Sequence, residues 1–346
     1  MGTMPDFTEV EKVLEKILGN AVDFGNMVFE MSKTGQTDGM RDWFDGILKI
    51  FLEQLKNGGE VIGYLFLLIL SAALLTVISK AFKNRQISQM GFYMIYLIMF
   101  LILLKSFLFC YTLTEGVITD LISFMQVLMP AYLIAVAGAA YKTSAVVYYE
   151  AFFLMIYCVQ KMIVFILLPS IRGYVMFTLL SVLGEEDVFS GGRKLLKKWI
   201  LWAFRAMLMV TTGMQLVQSV LTPAVDRVKN TVLSSGLSGF GSVGNVTKNI
   251  TDVMLGSALL LKNAIGVAAA VLIVGICLVP VIQVSAHTFF YQLLAAFSEP
   301  VSEKSMVDLL GNTAEGMGML VKLLFTVGGM FLITIALICV STGGMG

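Results

Sequence analysis

The sequence predicts an all-α protein: a polytopic membrane bundle of about eight segments, some of them kinked or short, preceded by an amphipathic helical region. Three observations predict this class. Hydrophobic residues make up 58% of the 346 residues and charged residues 14%, whereas soluble proteins are about half apolar and about a quarter charged. The mean hydropathy is +0.86. Apolar runs of about 20 residues, the length that a helix needs to cross a bilayer, recur along the chain.

The composition also argues against several other functions. A net charge of +1 and a pI near 7.6 indicate no basic surface for nucleic acid. The cysteines lie far apart in apolar runs and form no C-x-x-C pair, which is typical of buried apolar cysteine; they are Cys110, Cys158, Cys277 and Cys339. His287 is the single histidine. We therefore assign no catalytic, cofactor-binding or metal-binding residue.

Residues 1–60 form a hydrophilic N-terminal region, and residues 61–346 form the transmembrane domain. Apolar residues at helical spacing predict two amphipathic helices in the first region, near residues 7–18 and 43–55. The second helix could lie along the bilayer surface or pack on the first, and both alternatives stay open. No signal-peptide pattern stands at the start. We expect either a targeting segment outside this sequence or translocation of the region by the first span.

Basic clusters between the apolar runs predict the orientation. The first span, near residues 61–79, is followed by three bases within residues 80–85. Short loops rich in lysine and arginine are usually cytoplasmic, so we expect the N-terminal region to be extracytoplasmic. A second span, near residues 90–113, then runs outward. It contains Lys105, whose long stem can reach the interface.

A third span, near residues 117–140, begins amphipathic and meets Pro130 midway. Its more polar side carries Asp120, Ser123 and Gln126. Proline removes a helix hydrogen bond and clashes with the preceding turn, so we expect a kink or break at Pro130. Pro280 predicts another kink in the seventh span, near residues 264–287.

The fourth span, near residues 145–169, contains the charged residues Glu150 and Lys161. Because they are separated by nearly three turns, they share a helical face within about 20° but lie roughly 16 Å apart along the axis. Charges inside a bilayer usually face protein or water. Lys105 and Arg205 are candidate counter-charges. These four residues predict either the lining of a conduit or buried contacts between helices, and both interpretations stay open.

A shorter apolar piece at residues 171–183 could be a tilted span or a half-membrane hairpin. A second cytoplasmic loop is then predicted at residues 193–198, just ahead of Trp199. Its candidate contact residues, for a partner or for anionic lipid headgroups, are Arg193, Lys194, Lys197 and Lys198. A sixth span follows near residues 199–221, and Arg205 lies one to two turns inside it.

The last third of the chain alternates polar and apolar segments. Residues 222–263 are more polar and include a glycine- and serine-rich stretch at 234–244, which could be an exposed loop or a re-entrant segment. After the seventh span, a polar turn at residues 298–304 precedes the last span, near residues 318–340.

Several of these stretches together resemble one family. They are Asn57 to Gly63 at the first span, Leu128-Met129-Pro130 before a small-residue patch, Leu260 to Gly266 leading to Val279-Pro280, and Glu299-Pro300 before the last helix. In order and spacing they resemble the stage III sporulation protein AE family of endospore-forming bacteria over nearly the whole chain. Members of that family usually start with a signal peptide, whose pattern is absent here.

The resemblance implies a multi-pass protein of the mother-cell membrane facing the forespore, within an assembly that joins the two cells after engulfment. It implies a permease-like part of a channel or secretion-like conduit. The implied partners are membrane lipids, a cytoplasmic ATPase and ring-forming stage III sporulation proteins, with homo-oligomerisation left open. No catalytic residue is implied. The alternative function is a self-contained secondary transporter or permease, because transporters also build sites from kinked spans with midplane charges.

Overall fold

The computed structural model describes residues 8–18, 28, 63, 66–67, 70–71, 85–140, 154, 157–181, 191–210, 213, 244–300 and 302–341. Every regular element among them is helical, which confirms the all-α class for this part of the chain. The helices are α1 (Thr8–Leu18), α2 (Arg85–Ala140), α3 (Leu168–Ser181), α4 (residues 191–210), α5 (Gly244–Ser298) and α6 (Lys304–Ser341). A π-helical turn, Ile163–Leu167, leads directly into α3 and is itself preceded by helical residues 157–162.

Four of the described helical stretches are long and apolar enough to cross a membrane, judged by length and composition. They are Tyr93–Leu128, Tyr157–Leu180, Asn263–Ser298 and Lys304–Ala336. The expected count of about eight segments is therefore not supported. Most of the first expected span, near residues 61–79, lies outside the described residues, as do Glu150 and the glycine-rich stretch at 234–244.

The prediction of separate second and third spans is wrong, because α2 continues through both of them. Its 56 residues correspond to about 84 Å of helix. The expected boundary near Thr114 does not interrupt the helix, since the Thr114 hydroxyl donates to the carbonyl of Cys110 at 2.8 Å and is satisfied within its own turn. The helix also continues through position 130 and through Pro280. Neither proline ends its helix, and the kinks remain predictions.

The expected boundary at Pro169 is also wrong, since residues 157–181 form one helical stretch and 171–181 are no separate segment. The backbone N–H of Leu168 donates to the carbonyl of Ile163, a bond across five residues that widens the turn. Proline has no N–H to donate, and its ring crowds the carbonyl four residues earlier. The wider π turn therefore accommodates Pro169 without ending the helix.

One segment expected to be a loop is helical, and one helix begins earlier than the expected seventh span. The basic residues at 193–198 lie in α4 and not in a loop, because Ile200 and Phe204 bury one face of this helix. Helix α5 begins at Gly244 and includes residues 244–263, about half of the polar segment described at 222–263. Apolar residues recur there every three to four positions.

Helices α5 and α6 form an antiparallel hairpin joined by the turn at residues 299–303, as the polar turn predicted. Two glycines of α6 show which residues of α5 and α6 lie opposite each other. A Cβ atom added at Gly328 would lie 3.0 Å from Cys277 Sγ, and one added at Gly318 would lie 3.7 Å from Thr288 Cγ2. Helix α2 packs along both helices of the hairpin, α3 packs mainly on α6, and α1 packs on α2 through its buried residues Val10 and Leu14. The apolar core lies between these helices.

Candidate functional site

Polar side chains of five helices meet at one level of the bundle. Helix α2 runs antiparallel to α5, because Tyr291 contacts Ser106 whereas His287, one turn earlier, contacts Phe109. The residues at this level are Ser106, Tyr111, Arg172, Tyr174, Lys197, His287, Tyr291 and Glu315, and we call them the polar belt. A set of polar side chains at one depth of an apolar bundle is costly unless its members find partners, so their contacts indicate what the belt does.

Glu315 connects three helices within the polar belt. The Tyr174 hydroxyl of α3 donates a hydrogen bond to Glu315 Oε2 at 2.9 Å, and the Lys197 ammonium of α4 forms an ion pair with Glu315 Oε1. Tyr174 is only 2% exposed, whereas the side chains of Lys197 and Glu315 are 43% and 35% exposed. The carboxylate therefore lies at the rim of the core, where it holds α3 and α4 against α6.

Gly316 allows the close helix approach that brings Glu315 to Tyr174. A Cβ atom added at Gly316 would lie 2.1 Å from Val175 Cγ2 and 3.6 Å from Phe107 Cε2. Val175 and Phe107 are both fully buried. Helices α2, α3 and α6 thus converge at this glycine, and only a residue without a side chain fits there.

The other contacts of the polar belt join α2 to its neighbours. The Tyr291 hydroxyl donates to Ser106 Oγ at 2.7 Å, which links α5 to α2. The Arg172 guanidinium lies 5.6 Å from the centre of the Tyr111 ring, which links α3 to α2 through a cation–π contact. The His287 ring lies 5.9 Å from the Phe109 ring of α2, centre to centre, while its Nδ1 contacts the Gln283 carbonyl of its own helix at 2.9 Å. The belt is therefore a set of pairwise inter-helix contacts and no single cluster.

The exposed face of α2 changes character along the helix. Between Met90 and Leu101 its exposed residues are all apolar, and Lys105 and Phe109 follow on the same face. Further along, the exposed residues follow one another at helical spacing, in steps of four, three and seven positions. They are Thr112, Gly116, Thr119 and Gln126, and we call them the α2 stripe. Gln126 belongs to the side that the sequence predicted to be polar. A helix that faced lipid throughout would be apolar on this face.

The predicted conduit residues do not come together in the described structure. Lys105 and Arg205 are exposed on the outer faces of α2 and α4. Lys161 is half-buried, and its ammonium lies 5.5 Å and 5.9 Å from the ring centres of Tyr157 and Phe165, one turn away on either side. No contact of Glu150 can be described, since it lies outside the described residues.

The four basic residues at 193–198 separate into different positions on α4. Lys197 faces the bundle and binds Glu315, and Arg193 is half-buried. Lys194 and Lys198 are exposed. Lys197 therefore contacts another helix, whereas Lys194 and Lys198 are exposed on the surface of α4.

Glu315 is the site residue that the sequence analysis missed. It lies three residues ahead of the expected last span, and its hydrogen-bond partner Tyr174 is 141 residues away. The sequence feature that could have identified it is a single acidic residue between Gly311 and Gly318 in an apolar context. The structure places this residue inside the continuous helix α6. Among the described residues, no three His, Cys, Asp or Glu side chains come together as metal ligands.

Comparison with known proteins identifies one family. The family described as stage III sporulation protein AE matches residues 22–342. The chain is 21% identical over 299 residues to stage III sporulation protein AE of Bacillus subtilis (strain 168), an alignment that covers 86% of this chain and 75% of that protein. No solved structure matches the chain. Because the family matches nearly the whole chain, this protein belongs to the stage III sporulation protein AE family.

Proposed function

We propose that this protein is a non-enzymatic integral membrane component of a transenvelope, secretion-like channel complex that links mother cell and forespore during endospore formation. Family membership supports the sporulation role, and the four long apolar helices support the membrane location. Gln126 of the α2 stripe is the observation that carries the channel part of the proposal, because an exposed amide on the outside of a membrane bundle needs water or protein to face. The hydroxyls of Thr112 and Thr119 donate to carbonyls of their own turns, at Leu108 and Glu115.

The depth of the α2 stripe supports this proposal. The charge-free part of α5 is residues 263–298, about 54 Å of helix, so a hydrocarbon core of about 30 Å covers only part of it. We place that core at residues 264–286, on the side away from the charged residues of the polar belt. In the antiparallel register set by the Ser106–Tyr291 and Phe109–His287 contacts, α2 residues beyond about 110 run beside this segment. The α2 stripe would then lie within the bilayer, and the polar belt would lie at one edge of it.

The proposed orientation places the polar belt at the cytoplasmic edge. The belt level carries the positive charges of Arg172, Lys197 and the neighbouring lysines of α4, and such charge favours the cytoplasmic side. In this proposal residues 1–60 are an extracytoplasmic region and residues 61–346 the membrane domain. The proposed partners are a cytoplasmic ATPase, ring-forming sporulation proteins and further copies of this chain.

The proposal is tested by making the α2 stripe apolar in sporulating cells. We expect the double substitution Thr119→Leu/Gln126→Leu to arrest forespore development after engulfment while the protein level stays normal, because leucine on this exposed face changes the surface and not the core. Heat-resistant spore counts measure the defect. Purification of the tagged variant shows whether its partners still assemble with it.

The matched control is Thr119→Ser/Gln126→Asn, which keeps both positions polar and should support normal sporulation. Normal spore counts for the leucine variant would contradict the proposal, since a conduit surface cannot be made apolar without consequence.

A further inference from the structure

Helix α4 has two distinct faces in the described structure. The inner face packs on the bundle through Ile200 and Phe204, which are 0% and 7% exposed, and through Lys197, which binds Glu315. The outer face carries two exposed lysines one turn apart, Lys194 and Lys198. The lysines of α4 are therefore divided between an ion pair at the rim of the core and a surface that faces outward.

Two tryptophans continue the outer face directly after these lysines. Trp199 and Trp202 are 42% and 60% exposed, and their rings stack with centres 5.5 Å apart and planes 26° from parallel. A pair of large aromatic rings turned away from the core exposes much apolar area, yet each indole keeps an N–H donor. Side chains of this kind concentrate at the membrane–water interface, at the depth of the lipid headgroups.

The spacing along α4 matches the layers of a bilayer surface. The midpoint of the two lysines lies four to five residues before the midpoint of the two tryptophans, which is about 7 Å along the helix. The headgroup layer outside the hydrocarbon is itself about 5–7 Å thick on each side. If the rings lie at its inner boundary, the two ammonium groups reach the phosphates. Arg205, exposed on the same face one turn beyond Trp202, has a stem long enough to reach back toward the same layer.

We propose that the outer face of α4 is a binding site for anionic phospholipid headgroups, in which Lys194 and Lys198 bind the phosphate and the Trp199–Trp202 pair packs on the glycerol and upper acyl region. Each lysine near an anionic surface contributes roughly a fivefold preference. Lys197 takes no part, because its ammonium is bound to Glu315. The site stands on α4 alone and does not depend on the channel role proposed above.

Tryptophan quenching by brominated lipids tests this site. The full chain with Trp43→Phe, which leaves the α4 pair as its tryptophans, is reconstituted in phosphatidylcholine vesicles containing brominated phosphatidylglycerol or brominated phosphatidylcholine. We expect stronger quenching by the anionic lipid. The preference should fall roughly fivefold for each lysine changed in Lys194→Gln and Lys198→Gln, and it should weaken in high salt.

Two matched variants separate charge from folding. Lys194→Arg/Lys198→Arg keeps both charges and should keep the preference, whereas Lys304→Gln removes an exposed lysine outside α4 and should leave it unchanged. Equal preference in the glutamine and parent proteins would overturn the proposal. So would absence of quenching by either lipid, which would mean that protein covers this face. Loss of the preference on adding inorganic phosphate, at an ionic strength where sodium chloride has no effect, would identify free phosphate as the ligand instead.

Discussion

Replacing Glu315 by leucine is expected to destabilise the bundle by about 2–4 kcal/mol, because it removes the acceptor of two donors at once. The buried Tyr174 hydroxyl loses its bond, and leaving such a group unsatisfied costs about 1–3 kcal/mol. The Lys197 ammonium loses its counter-charge. That lysine is 43% exposed, so its contribution is well below the roughly 3 kcal/mol of a charge at the bilayer centre.

A mutant series assigns this loss to the two contacts of Glu315. Glu315→Gln keeps an oxygen that can accept from Tyr174 and removes only the ion pair, so it should cost about 1 kcal/mol. Combining it with Lys197→Gln should cost less than the sum of the single changes, as expected for residues in direct contact. Unfolding in mixed detergent micelles measures each value. Asp308→Asn, at an exposed position of the same helix, is the control and should be neutral. Strict additivity of Glu315→Gln and Lys197→Gln would refute the ion pair as a stabilising contact.

Gly316→Ala is expected to destabilise the protein by about 1–3 kcal/mol through overpacking. The new methyl group would lie 2.1 Å from Val175 Cγ2, and Val175 is β-branched and fully buried, so it cannot turn away without disturbing its neighbours. Helices α3 and α6 must then separate, and the Tyr174–Glu315 hydrogen bond lengthens with them. The same unfolding measurement detects the change.

Two substitutions serve as controls for Gly316→Ala. Gly311→Ala adds the same methyl group to the same helix with no atom within 4 Å, and it should be neutral or stabilise by up to about 1 kcal/mol through helix propensity. Val175→Ala in the Gly316→Ala background removes the clashing atom and should restore part of the lost stability. If Gly316→Ala and Gly311→Ala behaved alike, the helices would not converge at Gly316.

Hydropathy and helical periodicity were sufficient for the fold class, for α1 and for the turn between α5 and α6. They failed where a polar residue or a proline was taken as a boundary. Thr114 and Pro169 looked like breaks, yet one bonds within its own turn and the other is accommodated by a π turn. A hydropathy average does not show whether a hydroxyl bonds within its own turn or whether a turn widens to accommodate a proline. It therefore cannot decide whether two neighbouring apolar runs form one helix or two.

The site was predictable only in part, because its contacts are long-range. Clustered bases drew attention to Lys194, Lys197 and Lys198, but their division between a contact with Glu315 and exposed positions depends on Ile200 and Phe204 being the buried side of α4. Glu315 attracted no attention, since its role is defined by Tyr174 on another helix. The same holds for two glycines of α6. Nothing in the sequence distinguishes Gly311 from Gly316, and only the structure shows that Val175 of α3 packs against Gly316.

The central claim is that the α2 stripe faces water within the membrane, and cysteine accessibility measures this directly. In a background without the native cysteines, Thr119→Cys and Gln126→Cys are compared with Val274→Cys and Phe325→Cys, at exposed apolar positions of α5 and α6. A membrane-impermeant, charged thiol reagent is added to sporulating cells or to sealed vesicles. Because only a solvated thiol ionises and reacts, we predict rapid labelling at residues 119 and 126 and none at 274 and 325. Equal protection at all four positions would contradict the account.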